Sequence, residues 1–151
     1  MNLSENFTLA EAVKSQTALR CGIDNTPTAE QVESLRQVAR HILQPVRDHF
    51  GIPFTPSSWF RSPELCRQIG SKPTSQHAKG QAADFEVPGV PNVELAKWVV
   101  ANLDFDQLIL EHWKETDSAA GWVHCSYKAP DANRKEVLRY DGARYLMGLP
   151  E

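Results

Sequence analysis

The 151-residue sequence contains no apolar run near the roughly 20 residues that span a bilayer. Its start, Met1-Asn2-Leu3-Ser4-Glu5-Asn6, lacks the charged-then-apolar order of a secretory signal. The expectation is therefore no integral membrane association and synthesis in a cytoplasm. There is no basic block: 16 Lys plus Arg against 19 Asp plus Glu give a formal charge of −3. Nothing here neutralises a row of phosphates, which excludes nucleic acid as the expected partner. Cysteine is scarce, with three residues and no C-x-x-C spacing, so neither a disulfide framework nor a cysteine-rich zinc knuckle is indicated. Cys21, Cys66 and Cys125 are read as small buried hydrophobes. No repeat, low-complexity tract or linker divides the chain, and a single domain over residues 1–151 is expected.

What is present is an ordinary globular composition, 41% hydrophobic and 23% charged. Residues 8–13 read as a short helix, with Thr8 as N-cap and Glu11 completing a capping box. After Pro27-Thr28, the residues Val32, Leu35, Val38, Ala39, Ile42, Leu43, Val46 and Phe50 form one stripe at helical spacing, stopped by Gly51. Pro45 lies inside that stripe and should kink the helix near Ile42. Residues 52–59 are read as a short edge strand, constrained by Pro53 and Pro56. Ser62-Pro63-Glu64 opens a helix that runs to Gly70, and a loop covers residues 71–79. Strands are expected at 81–87, 106–111, 122–128 and 136–140, with a helix over 93–102 capped by Asn92. Short connections favour antiparallel pairing, so the fold expected is α+β, with helices packed on one small, mainly antiparallel sheet.

The residues able to do chemistry are few. His41 and His49 lie outside or beside the apolar stripe of the long helix, where solvated or capping roles suit them. His77 stands in a Ser/Gly/Gln-rich loop, Asp84 follows it closely, and His124 lies in an alternating strand beside Trp122. Two imidazoles and a carboxylate suit Zn²⁺, and three protein ligands leave a fourth position for water, the pattern of catalytic rather than structural zinc. Spacing alone does not decide between such a centre and an unrelated loop histidine, turn acid and strand histidine.

The flanking residues add specificity. Ser75-Gln76-His77-Ala78-Lys79-Gly80-Gln81-Ala82-Ala83-Asp84, with Trp122-Val123-His124 much later, strongly resembles the zinc D-alanyl-D-alanine carboxypeptidase and endopeptidase family that cleaves peptidoglycan stem peptides. The resemblance extends from about residue 7 to residue 140. It includes the phage-encoded single-domain members, whose Ser-x-x-x-Arg-Ser-Pro segment reads here Ser57-Ser58-Trp59-Phe60-Arg61-Ser62-Pro63. The resemblance implies a D-Ala-D-Ala metallopeptidase (hedgehog/DD-peptidase) type fold, Zn²⁺ as cofactor, and His77, Asp84 and His124 as its ligands. It further implies Arg61 in the cleft, on the substrate or on the oxygen that becomes negative, a task its guanidinium fork suits. Trp122 is placed among the substrate contacts, and Ser75 either offers the substrate a hydroxyl or caps its own turn.

One position departs from the pattern. Many members carry an acid three residues before the last histidine, where this chain has Gly121. An acid must come from elsewhere, or the protein is not a hydrolase. A hairpin centred near residues 115–117 brings Glu111 close to Trp122 and His124, which makes Glu111 the expected general base, with Glu115 and Asp117 as runners-up in the turn. The other option is that His112 faces the cleft and stabilises charge; strand alternation points Glu111 and His112 to opposite faces, so both cannot serve the same site. The resulting expectation is a monomeric zinc hydrolase of peptidoglycan peptides, carboxypeptidase or endopeptidase, of the type phages use as endolysins. It would act on the wall after release from the cytoplasm or be carried in a virion. The alternative is a zinc-containing wall-binding or virion structural module without catalysis.

Overall fold

Thr8 closes the expected capping box over α1 (Leu9–Val13): its Oγ1 accepts from the Glu11 amide, while the Glu11 carboxylate accepts from the Thr8 amide. The computed structural model, which describes residues 1–150, adds a helix α2 (Gln16–Cys21) that the periodicity does not reveal. Only Ala18 of α2 is buried, so there is no apolar stripe to read; Ser15 caps its start and Gly22 ends it at φ 64°. Cys21 is exposed here, which corrects its reading as a buried hydrophobe, whereas Cys66 and Cys125 are buried.

The long stripe forms α3 (Ala29–Val38) and α4 (Gln44–Phe50), joined by a π-helical turn over Ala39–Leu43. That turn is the physical form of the expected kink. Pro45 offers no amide and crowds the carbonyl four residues back, and the wider turn, closed by Gln44 N–H on the Ala39 carbonyl, relieves both. His41 and His49 are not simply solvated: they stack on Tyr127 and Trp98, each at 4.4 Å between ring centroids. Residues 52–59 form no strand, because Pro53 and Pro56 withhold amides; a lone bridge joins Ser58 to Asp84. Helix α5 (Pro63–Gln68) begins at Ser62, whose Oγ accepts from the Leu65 amide.

Strand β1 (Ala82–Phe85) is followed by α6 (Asn92–Asn102), β2 (Gln107–Glu111), β3 (Trp122–Ser126), β4 (Glu136–Tyr140) and β5 (Tyr145–Met147). Asn92 does not cap α6 with its side chain. Its Nδ2 instead donates to the carbonyls of Ala119 and Gly121 and to Glu86, tying the β2–β3 hairpin to the helix start. The sheet order is β1-β3-β2-β4-β5. All neighbours are antiparallel except β2 and β4. β3 is flanked on both sides, and β4 joins the outer edge of β2. Running opposite to β3, it is then parallel to β2.

Alternation gives the sheet two different faces. Ala83, Phe85, Leu108, Leu110, Val123 and Cys125 point into the core with Leu35, Val38, Ile42, Leu95 and Val99. Helix α6 lies against β2 and β3, and α3 against β1. The other face, carrying Asp84, Ile109, Glu111, Trp122 and His124, lines an open cleft of about 740 Å³.

Candidate metal centre

The cleft floor brings His77, Asp84 and His124 together. Asp84 and His124 are directly opposed on β1 and β3, which puts both on the same face. His77 comes from a 3₁₀ turn, Gln76–Lys79, inside the expected loop. The Ser75 Oγ accepts from the His77 amide at 3.2 Å, so Ser75 caps this turn while also lining the cleft. Gly80 ends the turn at φ 74°, where a Cβ would come within 2.7 Å of the Gln31 carbonyl oxygen of α3. Glycine therefore lets the turn sit directly on that helix. One ligand atom from each of the three residues lies within 4.8 Å of the other two. The side chains are only 5% exposed at His77, 13% at Asp84 and 12% at His124.

Hydrogen bonding tests whether a cation fits. His77 Nδ1 lies 2.7 Å from the Trp59 carbonyl, which only accepts, so the proton sits on Nδ1 and Nε2 presents a lone pair. That lone pair faces Asp84 Oδ1 at 3.3 Å. His124 Nδ1 approaches the same oxygen at 2.9 Å. Burial, partly offset by Asp84, lowers the His77 pKa and so disfavours a second proton on the ring. For Asp84, burial opposes ionisation, but the bond from His124 outweighs it and holds the carboxyl far below the usual range. A lone pair and a carboxylate facing each other in a largely dry site need a positive charge between them, and a metal ion supplies it. The donor set of two nitrogens and one oxygen fits a borderline metal.

Arg61 stands beside this set. Its Nη2 is 3.4 Å from Asp84 Oδ2, its amide donates to the His77 carbonyl, and its buried Nε has no partner. Glu111 pairs with Trp122 across the β2–β3 ladder, and both line the cleft. Burial and the Asp84 charge push the Glu111 carboxyl upward, while His124 opposes the shift. Glu115 and Asp117 are exposed in the hairpin loop and do not line the cleft. His112, at φ 52°, packs on Trp122 and Tyr140 instead of facing the cleft.

Gly121 is explained by the hairpin itself. Its φ is 75°, and a Cβ there would overlap the Glu111 carbonyl oxygen. No acid can occupy that position in this backbone, and the cleft carboxylate comes from the facing strand. Sequence reading missed the wall that lies beyond β3: Lys128, Arg134 and Tyr145 also line the cleft. Their only signal is cationic and aromatic residues in a segment without strong periodicity.

An α+β fold with a His-Asp-His set on the open face of its sheet, beside a partly buried carboxylate and an arginine, has the features of a metal-dependent hydrolase. The family model described as Peptidase M15 matches residues 5–126, most of the chain, and the protein belongs to that family, whose members are metal-dependent peptidases. No curated protein matches the chain.

Proposed function

We propose that the protein is a zinc-dependent hydrolase of amide bonds in bacterial peptidoglycan stem peptides or cross-links, with His77, Asp84 and His124 holding the metal. The observation that carries this reading is Glu111, a carboxyl whose pKa burial raises, lining the same cleft as the three ligand side chains. When bound, a zinc ion polarises a carbonyl oxygen and makes water a stronger acid and nucleophile. Glu111 takes the proton from the attacking water on its carboxylate and passes it to the leaving amine nitrogen. One water and one amide thereby become a carboxylic acid and an amine, which part as a carboxylate and an ammonium ion, with no covalent enzyme intermediate. Arg61, with its unpartnered Nε and a long contact to Asp84, offers N–H donors to substrate oxygen. Trp122 supplies an apolar wall, and Ser75 serves the turn first and the substrate second.

The glycine at position 121 gives no support to a non-catalytic module, because the hairpin geometry requires it. Incubation of the purified protein with muropeptides, with zinc and with chelator, is the direct test. Mass spectrometry of the products names the bond and separates carboxypeptidase from endopeptidase action. Glu111→Gln is expected to keep its metal and lose turnover by roughly 10²–10⁴-fold. Intact muropeptides at full metal loading, or full turnover by Glu111→Gln, would contradict the reading.

A further inference from the structure

Asp106, at the head of β2, is wholly buried and does not itself line the cleft. It is nonetheless the most densely bonded acid beside the centre. Arg134 donates Nε to Oδ1 at 3.1 Å, Nη2 to Oδ2 at 2.9 Å and its own amide to Oδ1 at 3.1 Å. Lys128 Nζ stands 4.0 Å from Oδ2. The remaining partner is Gln76, whose Nε2 donates to Oδ2 at 2.9 Å. Gln76 is the first residue of the 3₁₀ turn and the neighbour of His77, and its carbonyl accepts the amide of Gln81 at the turn's far end.

The turn is thus held from two sides. On the helix side, Gln31 Nε2 donates to the Ala78 carbonyl, and the missing Cβ of Gly80 allows close packing on α3. On the sheet side, the tie is Gln76 to Asp106. A buried ion pair adds little net stability over an apolar replacement, so its effect is better sought in geometry. Here the geometry concerns the height of His77 over the sheet, which sets where Nε2 lies relative to Asp84 and His124.

We propose that Asp106 is a positioning residue: fixed by Arg134, it holds Gln76 and thereby sets the 3₁₀ turn so that His77 meets the other two ligand side chains. Two of its partners, Arg134 and Lys128, lie beyond the segment matched by the Peptidase M15 model, so this chain completes the support of its metal centre with residues from its own C-terminal part.

The inference rests on the metal-centre reading, and the test separates the two. Gln76→Leu removes the donor at a partly exposed position and leaves the Asp106–Arg134 pair intact; Asp106→Asn removes the charge at near-constant shape. Zinc affinity is measured by competition with a chromophoric chelator, and the Co²⁺-loaded proteins are compared by absorption in the visible region. Melting of the metal-free proteins reports general stability. Gln76→Leu is expected to bind zinc about 10–100-fold more weakly and to shift the Co²⁺ bands. Its metal-free melting temperature should stay within about 3 °C of the unaltered protein. Asp106→Asn should weaken zinc binding in the same direction. Unchanged affinity and Co²⁺ spectrum in Gln76→Leu would overturn the positioning role while leaving the metal centre standing. In Gln76→Leu, weaker binding accompanied by a large fall in metal-free melting temperature would overturn it in favour of general support of the fold. An unaltered protein that takes up neither Zn²⁺ nor Co²⁺ would overturn both readings.

Discussion

Asp106 also governs how the protein responds to acid. Burial raises its pKa, but the bonds from Arg134 and Gln76 outweigh this and bring it from 3.8 down to about 2. A carboxyl whose pKa is depressed by folding stabilises the folded state above its unfolded pKa, and that contribution disappears as pH falls through the folded value. The window therefore runs from about pH 4 down to about pH 2, and the amount at stake is on the order of 2 kcal/mol. Denaturant unfolding of the unaltered protein and of Asp106→Asn should differ by about this amount at neutral pH, with the difference closing across that window. A gap that persists at pH 2 would show that the charge is not its origin. None of this was readable beforehand. An aspartate ahead of Gln107-Leu108-Ile109-Leu110 looks like the polar cap of an apolar strand, and its partners lie 28 and 30 residues away. His77, Asp84 and His124 could be singled out through the family resemblance that their flanking residues carry, because side-chain chemistry and spacing alone left the choice open. Glu111 could be read because a hairpin register is nearly fixed once its two strands are located.

The β2–β3 hairpin shows where strand-level reading succeeds and where it stops. The pairing of Glu111 with Trp122 follows from two alternating runs and one turn. The reason for glycine at position 121 does not, since it depends on a positive φ and on the approach of the Glu111 carbonyl from the facing strand. Gly121→Ala should therefore cost about 2–4 kcal/mol, from the strained φ and the enforced separation of the two strands. It should also lower turnover, because the backbone it displaces carries Glu111. Thermal unfolding and muropeptide hydrolysis check the two effects, and an alanine variant that melts with the unaltered protein would refute the steric argument. The same limit explains the elements that went unread. Helix α2 buries only Ala18, and β5 exposes both Tyr145 and Met147, so neither carries the periodic burial that marks α3 or β3. The parallel placement of β4 depends on which sheet edge it joins, a fact that no single segment contains.

The matched family segment ends at residue 126, yet the sheet and the cleft do not end there. Strand β4 pairs with β2 along Gln107 to Leu110, Arg134 neutralises Asp106, and Tyr127 is buried and stacked on His41. A chain stopped after residue 126 would leave β2 as an open edge, inviting intermolecular pairing. It would also leave Asp106 ionised in a dry site with neither Arg134 nor Lys128. Stranding a buried charge costs about 3–5 kcal/mol, a large share of the roughly 5–15 kcal/mol that keeps a typical domain folded. The shortened chain is accordingly expected to lose cooperative thermal unfolding and to self-associate, as read by circular dichroism melting and sedimentation velocity. A chain stopped after residue 141 retains β4, Arg134 and Lys128, and should unfold cooperatively with a lower midpoint, since β5 pairs only with β4. If the two truncations behave alike, both folded or both unfolded, the division of labour between β4 and β5 is wrong. If the 1–126 chain melts as the full chain does, the residues after β3 are an appendage and the metal centre stands without them.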